Sequence, residues 1–351
     1  MTSTETSSSD QRVARIQAVI RAEETQLRSR YPWLRHQDSI GLAILVFALS
    51  GMVASAWAGL TGWIPVWLSI PLVAVFASLT HELEHDLIHW MYFRRRPWVH
   101  HLMMALVWAA RPSTINPWLR RHLHFHHHKH SGTESDIEER AITNGERWGL
   151  LRLLMTADAG VSVLARAVRA KAWRSRWRHI WRAALAYFPL GWIHWGAWWM
   201  FLAYHGANAA ATLMGGVVSW PEWVISAQPA LTALVVAWIG PNVLRSFCLH
   251  LVSSNMHYYG DIEPGNLLQQ CQVLRGWWWW PAHLFCFNFG GTHAIHHFVV
   301  GQPFYLRQWL ARPAQNVMRE MGVRFDDLAS LQRANRWRPT DAPLLGQASP
   351  R

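Results

Sequence analysis

VWLSIPLVAVFASLTHELEHDLIH, residues 66–89, decides how this chain is read. Residues 66–80 are uncharged and apolar, and they run straight into three histidines. An uncharged apolar run of this kind calls for a bilayer or a core. His81, His85 and His89 recur at i, i+4 and i+8, so on a helix they form one stripe. Imidazole nitrogen is a ligand of choice for iron, zinc, copper and nickel. A metal site at a membrane surface accommodates both parts of the stretch.

Upstream, residues 39–57 (SIGLAILVFALSGMVASAW) are uncharged. At ~1.5 Å per residue they are long enough to cross a bilayer. The turn GLTGWIP joins the two runs into a transmembrane hairpin. A third span is expected over residues 183–204 and a fourth over about 224–244. Residues 98–110 are too short to span. Residues 150–182 mix Leu and Val with repeated arginine and tryptophan, the pattern of helices lying in the interface. The tryptophans at 277–280 read as an interfacial anchor. Ahead of the first span, Val13, Ile16, Ile20 and Leu27 recur at helical spacing among charges, which predicts an amphipathic helix over 11–28. The first ten residues are polar and have no signal-peptide pattern. The fold class expected is an all-α integral membrane protein: four transmembrane helices in two hairpins, with a helical cap carrying the histidines. Residues 1–38 form a tail and amphipathic helix, 39–308 the membrane domain, and 309–351 a C-terminal tail.

Composition agrees. The chain is 51% hydrophobic and 15% charged, with 25 tryptophans, a residue that concentrates where lipid meets water. Its net charge of +12 is carried by arginine, with lysine only at Lys129 and Lys171. That suits lipid headgroups and anionic partners. No nucleic-acid motif accompanies the charge, so no nucleic-acid partner is expected. Cys248, Cys271 and Cys286 lack metal or disulfide spacing and read as buried thiols. The connections near 60–63 and 205–222 contain no Lys or Arg, whereas the remaining polar segments are arginine-rich. By the positive-inside rule both termini and every histidine cluster face the cytoplasm.

In HLHFHHHKH, residues 122–130, helical phase separates two sets. His124, His127 and His128 share a sector of roughly 100°, while His122, His126 and His130 lie on nearly the opposite face. His293, His296 and His297 in HAIHH repeat the i, i+3, i+4 spacing. RSFCLHLVSSNMHYYGD, residues 245–261, adds His250 and His257 on one face. This many imidazoles exceeds what one metal coordinates, so two metals are the economical reading. His194, inside an expected span, reads as a helix-packing residue.

Together HELEH, the His124–His127–His128 triad and HAIHH resemble the membrane-bound fatty acid desaturase and hydroxylase superfamily, over about residues 39–308. The resemblance implies a non-haem di-iron centre (two Fe), O2 as co-substrate, and a fatty acid or acyl-lipid threaded beneath the metals. Its first box fits His81 and His85, with His89 as an optional ligand. The extra histidine before the last box carries over onto His257, and His250, which follows Arg245, competes for that role. The implied catalytic set is His81, His85, His124, His127, His128, His257, His293, His296 and His297. The stretches SSNMHYYGDIEPGNLLQQ and THAIHHFVVGQPFYLRQ are also similar to a bacterial branch that includes terminal-alkene-forming fatty acid decarboxylases.

Breaking an unactivated C–H bond is beyond side-chain acid–base chemistry, so a cofactor must carry it. Glu82, Glu84, Asp86, Asp136 and Asp261 lie near the clusters and are the candidates for orienting imidazoles. Loss of two hydrogens gives an internal alkene, oxygen insertion an alcohol, and loss of CO2 a terminal alkene. Desaturation is expected, with decarboxylation and hydroxylation as alternatives. No HPGG haem segment and no CxxC iron–sulfur set is present, so electrons must come from an external ferredoxin, rubredoxin or cytochrome. A rival reading takes His81-Glu82-Leu83-Glu84-His85 as the HExxH of an intramembrane zinc protease. It leaves both HxxHH triads unexplained.

Overall fold

In the computed structural model, residues 8–332 are described, apart from 134, 258–261 and 264. The described residues are helical, with two isolated β-bridges, His257–Cys271 and Val273–Phe325. Three helical stretches are long and apolar enough to cross a membrane: Gln37–Leu60 (α2), Val66–Ile88 (α3) and the continuous Glu222–Met256.

The first helix, α1 (Ser9–Arg30), starts at a capping box in which Ser8 and Gln11 satisfy each other's backbone N–H. Its apolar side buries Ile16 and Ile20 in the main core cluster. α2 and α3 then pack closely along each other. Gly62 supplies the positive φ of 79° that their connection needs, and a Cβ on Gly59 would sit 2.3 Å from the Ser69 hydroxyl. Ser69 in turn donates to the Ser55 carbonyl at 2.9 Å. α3 does not end where its apolar run ends. It continues as one helix through His81 and His85 to Ile88, and every residue from Thr80 to Ile88 is buried.

Pro97–Ala109 (α4) is followed by Pro117–His130 (α5), opened by Asn116, which accepts from the N–H groups of Trp118 and Leu119. A set of shorter helices comes next: Ile137–Thr143 (α6), Leu150–Ala157 (α7), Ala159–Arg169 (α8) and Trp173–Tyr187 (α9). The single third span expected over 183–204 is not what forms. The chain breaks at Phe188–Pro189, because a proline has no N–H to continue the ladder, and a separate helix, Leu190–Leu213 (α10), follows. α10 has 24 residues, but its Trp, His, Asn and Gly content leaves it outside the three apolar stretches.

The fourth expected span is longer than its apolar core. Glu222–Leu234 (α11), a π-helical turn at Val235–Ile239 and Gly240–Met256 (α12) run on without interruption. Pro241 lacks the N–H that an α-helical turn would use, which accounts for the local widening. Asn242 then closes the gap, donating to the Trp238 and Ala110 carbonyls, both at 3.0 Å.

Leu267–Gln270 (α13), Trp280–Phe285 (α14), Phe289–Phe298 (α15) and Phe304–Glu320 (α16) complete the fold. α16 runs across positions 308 and 309, where the membrane domain was expected to end and the tail to begin. It does so because Leu310, Ala314, Val317 and Met318 are buried, the last three against Ile16, Ile20 and α15.

Candidate metal centre

α3, α5, α12 and α15 bring their histidines to one place. In one group the donor atoms of His85, His89, His124 and His296 lie within 4.8 Å of one another. His128 joins it, its Nε2 standing 3.1 Å from that of His124 and 3.0 Å from that of His296. The second group is His257, Cys271, His293 and His297, again within 4.8 Å. The His127 ring lies beside this group, its centroid 5.2 Å from that of His257 and 5.3 Å from that of His297.

These distances fit shared ions. Two nitrogens each ~2.1 Å from one metal, at angles of 90–109°, are ~3.0–3.4 Å apart. The Nε2 pairs His89–His124, His128–His296 and His293–His297 stand at 3.0, 3.0 and 3.2 Å. In addition, His85, His127 and His257 have buried Nε2 atoms with no hydrogen-bond partner. A buried polar atom left unsatisfied is costly, and a metal removes that cost.

The far ring nitrogens are held. His127 Nδ1 meets Asp136 at 2.8 Å, His124 Nδ1 meets Glu138 at 2.9 Å, and His257 Nδ1 meets Glu139 at 3.1 Å. Gln270 Oε1 is 2.9 Å from His297 Nδ1. Each partner fixes its ring with the proton on Nδ1 and Nε2 free toward the centre. Burial, followed by the charge of His124, pushes His89 down to about 2. Burial likewise lowers His128, His293, His296 and His297, so these rings are neutral, the form that ligates. Burial alone would raise Glu138 and Glu139, but His124 and His257 outweigh it and hold both carboxyls below the usual range.

The other histidines take different places. His81 lies outside both groups, its Nδ1 3.4 Å from an Arg111 nitrogen and its Nε2 without a partner. His250 is also outside them, with Nδ1 3.1 Å from the Thr156 carbonyl. His122 and His130 are exposed, and His126 bonds the Ser135 carbonyl and hydroxyl. Of the carboxylates expected to orient imidazoles, Asp136 does so. Glu84 instead pairs with Arg111 and Arg120, while Glu82 and Asp86 pair with Arg307. Asp261 lies outside the described residues. Glu138 and Glu139 were missed, although they stand two and three positions beyond Asp136 in the acidic first turn of α6. Cys271 and Gln270 were missed as well.

A cavity of about 810 Å³, within the range of small-molecule sites, adjoins the histidines. His81, His85, His124, His127 and His293 are among its lining residues, as are Leu185, Ala186 and Tyr187 at the end of α9.

A helical protein with three stretches apolar enough to cross a membrane and two histidine groups beside a cavity is the class that fold and site define. Residues 61–329 match the family model described as fatty acid desaturase, and the chain belongs to that family. A search of curated proteins found no match. Family and histidine groups together fit a di-iron oxidoreductase acting on fatty acyl chains.

Because Glu138 orients His124, its Glu138→Gln variant is expected to lower iron affinity about 10–100-fold, the usual effect of losing a partner behind a metal-bound histidine. Iron titration of the purified variant measures this directly. Wild-type affinity would show that the His124–Glu138 contact has no part in metal binding.

Proposed function

We propose that this protein is an O2-dependent two-iron oxidoreductase that desaturates a fatty acyl chain. The observation that carries the reading is the convergence of Nε2 atoms beside the cavity, several with Nδ1 anchored to an acceptor. We assign His85, His89, His124, His128 and His296 to one iron, and His127, His257, His293 and His297 to the other. His81 and His250 are assigned to the cavity wall. The irons would supply O2 reduction and abstraction of hydrogen from carbon. The chain's own part is to hold imidazole rings in one orientation, to keep His89, His128, His293, His296 and His297 neutral by burial, and to surround the acyl chain. Desaturation removes two hydrogens from carbon, consumes O2, two electrons and two protons, and yields two waters.

For topology, we place α10 as a fourth span beside the α11–α12 stretch. Ala197 of α10 is buried against Val235 and Ile239 there, with Trp198 and Phe201 packed around them. With four spans, the arginine distribution puts both termini and the metal centre on the cytoplasmic side. Electrons then arrive from a soluble ferredoxin, rubredoxin or cytochrome. Steering by the arginine-rich face predicts that turnover with a reconstituted donor slows as salt rises. A rate indifferent to ionic strength, under conditions where donor encounter limits turnover, would exclude docking on that face.

Product analysis tests the reaction. Cells expressing the protein with a donor are fed saturated fatty acids, and an alkene of unchanged chain length is the expected product. An alcohol carrying label from 18O2 would assign hydroxylation instead. Decarboxylation would instead give a 1-alkene one carbon shorter, which the same product analysis detects. Metal analysis separates both from the HExxH protease: about two irons per chain against a single zinc.

A further inference from the structure

Cys271 is 4% exposed and sits among the donors of the second histidine group, its Sγ within 4.8 Å of one ring nitrogen from each of His257, His293 and His297. The backbone puts it there. Residues 257 and 271 form an isolated antiparallel β-bridge, beside which the Gln272 N–H donates to the Met256 carbonyl at 2.9 Å. Residues directly opposite in such a pair have Cβ atoms ~4.5–5.5 Å apart on one face. The segment is also fixed on either side of the thiol. Gln270 Oε1 accepts from His297 Nδ1 at 2.9 Å, and Gln272 Nε2 donates to the Asn255 carbonyl at 2.7 Å.

A buried thiol is ordinarily a small apolar side chain, and the same core cluster holds Cys248 and Cys286 in that role. Neither of those belongs to a histidine group. Cys271 differs in its neighbours. His257 is 3% exposed, its Nδ1 is 3.1 Å from Glu139, and its Nε2 is buried without a hydrogen-bond partner. An orphaned imidazole nitrogen beside a sulfur, with two further imidazoles in reach, suits a metal better than it suits packing. The dimensions agree. A metal ~2.3 Å from sulfur and ~2.1 Å from nitrogen, at angles of 90–109°, holds the two donors ~3.1–3.6 Å apart. The 4.8 Å limit of the group encloses that separation.

We propose that Cys271 binds the second metal as a thiolate, alongside His127, His257, His293 and His297. The inference rests on the reading of the two groups as a two-metal centre. The histidines assigned to the two metals are unequal in number, and the sulfur makes up the difference. The donor set that the histidine boxes imply is imidazole throughout, so a sulfur donor is this chain's own departure from it. Ligation replaces the S–H bond by a metal–sulfur bond and releases the proton to solvent. A thiolate is softer and more electron-donating than imidazole, so the two metal positions become chemically distinct.

Cobalt(II) alone is the probe, because a cobalt-bound thiolate gives a strong near-ultraviolet sulfur-to-metal charge-transfer band that imidazole does not. Metal-free protein in lipid nanodiscs, kept reduced and without O2, is titrated with cobalt. Wild type is expected to bind about two ions per chain and to show the band. A variant carrying Cys248→Ser and Cys286→Ser keeps Cys271 as its sole cysteine and should keep the band. Cys271→Ala should lose the band and hold one of its two ions at least about tenfold more weakly, since loss of a partner behind a ligand already costs ~10–100-fold. Two bound cobalts without the band in wild type, or a band that survives Cys271→Ala, overturns the sulfur donor and leaves the proposed function standing. A protein that binds no metal overturns both. If Cys271→Ala does not fold, wild type and the double serine variant decide: the band in both supports the proposal, and its loss from a double variant that still binds two cobalts overturns it. A protein that shows the band but oxidises nothing would fail the proposed function, not this inference.

Discussion

His296→Ala is expected to abolish turnover and to cost the protein bound iron, while His122→Ala leaves both close to wild type. His296 is fully buried on α15, with its Nε2 3.0 Å from that of His128 and its ring centroid 4.2 Å from that of His85. It stands where α3, α5 and α15 meet, so alanine removes a donor that no neighbouring side chain replaces. Loss of an outer partner behind a ligand costs ~10–100-fold, and loss of the ligand itself must exceed that. His122 belongs to the same histidine-rich helix as His124 and His128 but is exposed on its other side. The two variants thus compare a donor inside the centre with an equally conspicuous histidine outside it. Iron content by elemental analysis, with product yield, reads the result. If His122→Ala were as inactive as His296→Ala, helical phase would not be what sorts these histidines.

Helical phase was the part of the site most legible in the sequence. The 3.6-residue period separated His124, His127 and His128 from His122 and His130 before any partner was known, because α5 is one regular helix and phase is a local property. The stripe on α3 was harder. His81, His85 and His89 share a face, so phase cannot tell which two reach the centre. That depends on the height at which α5 and α15 cross α3, and the crossing brings His85 and His89 into the first group and leaves His81 lower, in the cavity wall. His250 and His257 also share a face and are split the same way. His257 caps α12 next to the Cys271 bridge, while His250 points toward Thr156.

Apolar runs located α2 and α3 well, since transfer free energy alone sets them. They failed around residue 188, where a proline outweighed hydropathy and divided one expected span into α9 and α10. The orienting carboxylates were only half visible. Asp136 lay close enough to the second cluster to be named, whereas Glu138 and Glu139 look in sequence like the ordinary acidic first turn of a short helix. Past residue 308 a tail was expected, yet α16 carries on to Glu320 with Leu310, Ala314, Gln315, Val317 and Met318 buried by tertiary partners that only the fold supplies.

Arg307→Ala is expected to destabilise the protein by about 3–5 kcal/mol, the cost of leaving buried charges without their partner. Arg307 has 1% of its surface exposed, and its Nη2 lies 3.4 Å from Glu82 and 3.3 Å from Asp86. Those carboxylates are on α3, one position beyond His81 and His85, so the guanidinium fastens α16 to the helix that carries the first histidine cluster. Asp86 has further support. It accepts from the Tyr92 hydroxyl at 2.8 Å and from the Phe304 backbone N–H at 2.9 Å. Glu82 has less, its Oε1 being buried without a partner, so it is the group the substitution strands. Combining Arg307→Ala with Glu82→Gln should therefore recover part of the loss, because a neutral amide is cheaper to bury than a charge. The three buried free cysteines make the measurement direct. A thiol-reactive dye reports their exposure on heating, and the single variant should unfold on the order of 5–10 °C below wild type. An unchanged transition would mean that α16 is held to α3 by apolar packing around Phe304 alone.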